Sequence, residues 1–233
     1  MARDPSLDER ETLAMTSQLH SLDTEIAGLH ATSPHALPFA PAQRIRSFLL
    51  QREAGNILVY AAPLTAADTA AVERLGGITR QYLNHWHEAT FDGVDAGAPV
   101  FVHAADRGEV ESRLHVRGSF SRRHVIDDDF EVIPIPGHTP GATAYLWTTA
   151  AGRLLFTGDT IVLADGEWAA AVLDSSDREA YVRSLELLRD IEFDVLVPWA
   201  ATGGRPYVAH TDPADARARI DAMIRRIREG ASR

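Results

Sequence analysis

Short apolar runs of strand length alternate along the chain with longer stretches of helical period, a pattern that predicts an α/β protein. Residues 1 to about 32 are polar with apolar positions at loose helical spacing. They predict an N-terminal helix, followed by a connector in "SPHALPFAP", whose three prolines break helices. We therefore read residues 1–44 as a helical extension and connector of the same domain, and residues 45–233 as the domain body. "RSFLLQREAGNILVYAA" predicts two strands around a turn at Glu53 to Asn56, and "LTAADTAAVERLGG" a helix closed by Gly76 and Gly77. Strands "ITRQYLNHW" and "PVFVHAA" follow. The centre is β-rich, with "FEVIPIPGHTPGATAYLWTT" and "GRLLFTGDTIVL" joined by glycine and proline turns.

Two helices frame the last predicted strand, "FDVLVPW". The first has a capping box from Ser176 to Glu179 ahead of apolar Val182, Leu185, Leu188 and Ile191. The second starts with Asp212 as cap and Pro213 at its first position, and aims Ala216, Ile220, Met223 and Ile227 at the core. This order predicts sheet covered by helices on its outer faces.

Composition narrows the chemistry. The 233 residues are 45% apolar, enough for a continuous core. No apolar run approaches the roughly 20 residues of a membrane helix, and no basic-then-apolar segment opens the chain, so a cytoplasmic protein without a membrane partner is expected. A net charge of −10 with scattered basic residues argues against nucleic acid. Every basic residue is arginine, which excludes Schiff-base chemistry, and with no cysteine any metal must be held by histidine and carboxylate.

Three segments carry such residues. In "YLNHWHEATF" His85 and His87 are two apart; on a strand they share a face roughly 6.5 Å apart, and both imidazoles can reach one ion at about 2.1 Å. His138 stands in a rigid turn, "IPIPGHTPGA", and Asp159 follows a strand and a glycine in "LLFTGDTIV". Singly, each has a plainer reading as a surface or core histidine, a turn that happens to hold histidine, or an Asx-turn.

Together, "PGHTPG", "FTGDT" about twenty residues later and an upstream His-x-His resemble the metallo-β-lactamase superfamily over residues 45 to about 230. The resemblance implies a four-layer αββα sandwich, two packed mixed sheets with helices outside, and a metal site along one edge. It implies that His85, His87 and His138 hold a first metal and that Asp159 bridges it to a second; if one metal alone is held, Asp159 is either its ligand or a catalytic proton acceptor.

The pattern is incomplete. Where the family places the last two residues of His-x-His-x-Asp-His, this chain has Ala89 and Thr90, and Trp199 and Ala200 replace a late Gly-His. Tyr60, Ala61 and Ala62 stand where an Asp-Thr-Gly is usual, which puts its supporting hydrogen bonds in question. Glu88, Asp92 and His210 are the candidates to fill the gap, although on a continuing strand Glu88 points to the opposite face from His87. A mononuclear site follows, zinc first and iron or manganese as alternatives. It suits a hydrolase of an ester, thioester or lactone-like small molecule. The alternative is a catalytically degenerate protein on this scaffold with a binding or structural role and little or no metal. Trp168 is read either as the mouth of a pocket or as packing.

Overall fold

The computed structural model describes residues 24–203 and 206–231, so most of the expected N-terminal helix lies outside the described residues. The end of the stretch expected to be helical instead forms strand β1 (Leu29–Ala31), and the expected connector contributes β2 (His35–Leu37) and the start of β3 (Ala40–Ile45). The prolines permit this: Pro34 precedes β2, Pro38 lies in the β2–β3 turn, and Pro41 falls opposite a register irregularity between Ala36 and Leu37. Proline is excluded from helix interiors but tolerated at strand starts and bulges.

Six strands form the first sheet. β1, β4 (Phe48–Leu50) and β5 (Ile57–Val59) pair antiparallel, and β6 (Arg80–Tyr82), β7 (Val100–His103) and β8 (Val116–Phe120) extend it in parallel. The second sheet is also mixed. It runs β9 (His124–Ile126), β10 (Phe130–Pro134), β11 (Thr143–Thr149) and β12 (Gly152–Gly158) as a meander, then β15 (Val195–Pro198) parallel and β17 (Ala209–His210) antiparallel.

Strand alternation sorts the side chains into layers. Phe48, Leu50, Ile57 and Val59 meet Tyr145, Trp147, Leu154 and Phe156 between the sheets. The intervening Leu49 and Leu58 turn outward against Val72 of helix α1 (Ala66–Arg74). On the same outer face Val100 and Val102 pack with Val110 of α2 (Arg107–Glu111). Leu146, Leu155 and Leu196 face α3 (Arg178–Arg189) and α4 (Pro213–Arg228) on the other side. The architecture is the αββα sandwich. Each fully buried Leu, Ile or Phe contributes roughly 1.5–3 kcal/mol, so a one-residue slip of any central strand would expose several such increments.

The three helices predicted after the N-terminal stretch are present, with one shift. Asp212 caps α4 as expected, whereas α3 is capped by Asp177, whose carboxylate accepts from the Ala180 N–H, and not by Ser176. Ser176 is used elsewhere: its hydroxyl donates to the His138 carbonyl oxygen at 3.1 Å.

A third sheet was not anticipated. It orders β14 (Glu167–Ala169), β13 (Val162–Ala164), β16 (Ala200–Thr202), β3 and β2. The chain enters it twice from the second sheet, after β12 through Asp159 and after β15 through Trp199. Both crossings pass the same edge of the sandwich, which is where the histidines gather. No helix among the described residues is long and apolar enough to cross a membrane.

Candidate metal centre

The His85–His87 segment is not a strand. β6 ends at Tyr82, His85 keeps extended backbone, and Trp86–Thr90 form a 3₁₀ helix. Side chains intercept the backbone that would have continued the ladder. Glu88 accepts from the Asn84 N–H at 2.9 Å and the Ala61 N–H at 2.8 Å, and Asp106 accepts from the Trp86 N–H at 3.0 Å. The two imidazoles still converge, through a turn and not through strand alternation.

His138 sits in the tight turn between β10 and β11. Gly137 has φ +146°, and a Cβ there would lie 2.4 Å from the Tyr181 Cα, so only glycine lets the turn press against α3. Asp106 clamps the far side, accepting from the Thr139 hydroxyl and the Gly141 N–H at 2.8 Å each. One buried carboxylate therefore ties the His138 turn to the segment carrying His87. Asp159 leaves the end of β12 and has its backbone carbonyl oxygen held by the Tyr181 hydroxyl at 2.9 Å.

One nitrogen each of His85, His87 and His138 lies within 4.8 Å of the others. His87 Nδ1 is 3.1 Å from His138 Nε2, and Asp159 Oδ2 is 3.5 Å from His85 Nε2 and 3.6 Å from His138 Nε2. The edges of a tetrahedron with arms of about 2.1 Å measure roughly 3.4 Å, so the three imidazoles suit one ion, with Asp159 close by two of them. Two tautomers are set by neighbours. His138 Nδ1 donates to the Ala171 carbonyl oxygen at 2.7 Å. His85 Nδ1 faces Asn84 Oδ1 at 2.8 Å and Glu88 Oε1 at 3.3 Å. Both therefore turn a bare Nε2 inward, the arrangement that orients imidazole ligands in metal sites. His85 Nε2 and Asp159 Oδ1 are buried without a hydrogen-bond partner, a cost that a cation would relieve. The residues fit a single divalent ion.

Charge is distributed unevenly in the cluster. Burial opposes a proton on His85, but Asp159 and Glu88 outweigh it and lift the imidazole to about 10. Burial together with the His85 and His138 charges pushes His87 down to about 3, and burial with the His85 charge lowers His138 as well. Burial works against ionised Asp159, yet the close approach and charge of His85 hold its carboxyl below the usual range. Burial raises Glu88 despite its pairing with His85.

The gap left by the incomplete motif is filled by packing. Ala89 is buried among Leu83, Val94 and Val110, and the Thr90 hydroxyl donates to the His87 carbonyl oxygen at 2.6 Å. Trp199 is buried with its ring 5.4 Å from that of His85, and its indole N–H donates to the Ala61 carbonyl oxygen at 3.1 Å. None of the three replacement candidates joins the cluster. Glu88 supports His85 from behind while its oxygens serve backbone amides, Asp92 is exposed, and exposed His210 lies on β17 beside a separate cavity. Trp168 packs on Phe193 with ring centroids 6.0 Å apart, which is the packing reading.

Tyr60 takes over the support that the missing Asp-Thr-Gly left in question. Its hydroxyl donates to the Val197 carbonyl oxygen at 2.6 Å and accepts from the Gly158 N–H at 3.0 Å, fixing the residue before Asp159. Sequence reasoning missed Asn84, Asp106 and Tyr181, whose roles depend on contacts between segments distant in the chain. Asn84, adjacent to His85, carried the only local signal.

A cavity of about 340 Å³ opens onto this cluster, with His87, His138 and Asp159 at its floor and walls that include Phe91, Val162, Leu173 and Trp199. Fold and the order of these residues along the chain define a scaffold of a known kind. The metallo-beta-lactamase superfamily model matches residues 66–200, and the chain belongs to that superfamily.

A hydroxyacylglutathione hydrolase of Pseudomonas entomophila (strain L48) is 34% identical over 87 residues, 35% of this chain. The match spans only 33% of that relative's length. Among solved structures, the MIM-2 metallo-beta-lactamase superposes with a TM-score of 0.63 at 14% identity, covering 92% of this chain and 96% of that one. A Cronobacter sakazakii metallo-beta-lactamase gives 0.62 at 17% identity over 89% and 95%. AidC, a dizinc quorum-quenching lactonase, gives 0.50 at 14% over 73% and 76%. At these identities the structures share the fold.

Proposed function

We propose that this protein is a mononuclear metal-dependent hydrolase of an ester, thioester or lactone, with His85, His87 and His138 holding one zinc ion, the fourth position left to water and Asp159 beside it. The observation that carries the reading is the inward-facing Nε2 pair of His85 and His138 with Asp159 Oδ2 at 3.5 and 3.6 Å. Bound there, a zinc ion supplies Lewis acidity to the substrate carbonyl and makes hydroxide accessible near neutral pH. The rest belongs to the chain. Asp159 is the only carboxylate among the described residues lining the cavity, and outside the metal's shell it would be placed to accept the proton of the attacking water. The Ala171 carbonyl oxygen and the Asn84–Glu88 pair hold the imidazoles in orientation. Water adds across the acyl bond, leaving a carboxylic acid and an alcohol or thiol. The 34% identity to a hydroxyacylglutathione hydrolase segment supports the hydrolase class.

The second reading, a binding protein with little metal, draws on the 3.1 Å approach of His87 Nδ1 to His138 Nε2, by which the two rings can satisfy each other. Elemental mass spectrometry decides between them. Wild type and His85→Ala are purified identically without chelator, incubated with zinc and desalted. The hydrolase reading expects about one equivalent in wild type, little in the variant, and chelator-sensitive cleavage of chromogenic esters or thioesters. A wild type that retains no metal overturns it.

A further inference from the structure

The cavity on the metal side of the sandwich has a chemical bias that the superfamily assignment does not supply. Its floor is polar, through His87, His138 and Asp159, but Leu37, Phe91, Val162, Leu173 and Trp199 make the walls apolar. No arginine lines it among the described residues, and the chain contains no lysine. A carboxylate carried at the far end of a substrate, away from the metal floor, would leave water for an apolar wall with no arginine or lysine to receive it. Two large apolar side chains also stand in solvent at the rim. Phe39, in the β2–β3 turn, is 79% exposed and Leu173 is 41% exposed, and both border the cavity.

Trp199 deepens this bias. Standing next to Ala200, which takes the place of the missing late histidine, its indole closes the inner wall with Phe91, the two rings 5.9 Å apart. Its N–H is already engaged with the Ala61 carbonyl oxygen, so the wall offers no donor from the indole to a substrate. A space of about 340 Å³ is at the low end of the roughly 300–1,000 Å³ typical of small-molecule sites.

We propose that the pocket walled by Phe91, Val162, Leu173 and Trp199 binds an uncharged, apolar acyl chain of short to medium length and selects against substrates carrying a carboxylate. The reacting carbonyl is then placed at the His138–Asp159 floor. For its chemistry, though not for its binding, this rests on the hydrolase reading above.

The test separates the two. Binding is measured on metal-free protein by displacement of N-phenyl-1-naphthylamine, an uncharged fluorophore, with straight-chain alcohols from butanol to decanol. Each methylene that reaches the wall is expected to tighten binding about fourfold, until the cavity is full and the series levels off. 8-Hydroxyoctanoate is expected to bind at least tenfold more weakly than octanol. Val162→Phe should move the plateau to a shorter alcohol, and Leu173→Arg, at an exposed rim position that does not disturb the core, should recover 8-hydroxyoctanoate binding. Affinity independent of chain length, or equal affinity for the charged analogue, overturns the proposal.

A parallel series of p-nitrophenyl esters on zinc-loaded protein should show the same chain-length profile in kcat/KM. Chain-length-dependent binding without chelator-sensitive hydrolysis keeps the pocket assignment and defeats the hydrolase reading. Hydrolysis with a flat profile and flat binding does the reverse.

Discussion

The Tyr60 hydroxyl accepts a hydrogen bond from the Gly158 N–H at 3.0 Å, joining the residue before Asp159 to a strand end of the opposite sheet. Tyr60 holds this position at φ +71°, an uncommon conformation for a side chain of its size, and is wholly buried between the sheets. The same hydroxyl donates to the Val197 carbonyl oxygen, so one phenol spans β5, β12 and β15 beside the metal centre.

Tyr60→Phe removes that oxygen and leaves a buried N–H and a buried carbonyl without this partner. Stability should fall by about 1–3 kcal/mol, measured as a lower urea midpoint with an unchanged m-value. Zinc affinity should drop roughly tenfold through loosened Asp159. A variant as stable and as tightly metallated as wild type would show that the Tyr60 bond does not position the site.

Asp106 is a stronger case, because three donors converge on it. Asp106→Asn replaces one acceptor oxygen by an N–H that faces donors, so the Trp86 and Thr139 bonds to Oδ2 or the Gly141 bond to Oδ1 must be lost. We expect a loss of about 2–4 kcal/mol and, in a zinc competition titration, an affinity 10- to 100-fold weaker. Unchanged zinc affinity would make Asp106 a purely structural clamp.

Much of this was legible in the sequence, for reasons that differ by segment. Phe48 to Val59 and Tyr145 to Phe156 announce their layers because strand alternation leaves each side chain one choice of face. His138 and Asp159 stand out because glycine and proline turns fix the backbone around them, whereas His85 and His87 stand out only by their spacing. The short strands β3 and β16 are not legible, since they pair across some 160 residues, as in the Thr202–Gln43 register. Glu88 was placed on the far side from His87 by strand alternation. It does face away, but because a 3₁₀ turn carries it beneath His85 to the Ala61 and Asn84 amides.

The missing second-metal ligands cannot be restored by substitution alone. Ala89 is 2% exposed and packed among Leu83, Val94 and Val110. An aspartate there would bury a charge with no cation beside it. Ala89→Asp combined with Thr90→His should lower stability by roughly 3–5 kcal/mol. By elemental mass spectrometry zinc should stay at or below one equivalent per chain. Two equivalents bound to a folded double variant would mean that the 3₁₀ turn can rebuild a dinuclear site.

Gly158 shows how tightly the centre is assembled around backbone. It adopts φ +57°, and a Cβ at this position would lie 1.9 Å from Asn84 Oδ1, the atom that faces His85 Nδ1. Asn84 cannot retreat freely, because its amide nitrogen donates to the Thr143 carbonyl oxygen and its backbone N–H to Glu88. Gly158→Ala should therefore displace Asn84, release the orientation of His85 and cost about 2–4 kcal/mol through left-handed strain and overpacking together. Asn84→Ala removes the obstructing side chain, so the double variant Asn84→Ala/Gly158→Ala should lose less stability than the sum of the two single changes. A double-mutant cycle in urea measures this coupling, with an expected recovery of about 1–2 kcal/mol. Strict additivity would mean that the Gly158 requirement comes from its φ alone and not from the approach of Asn84.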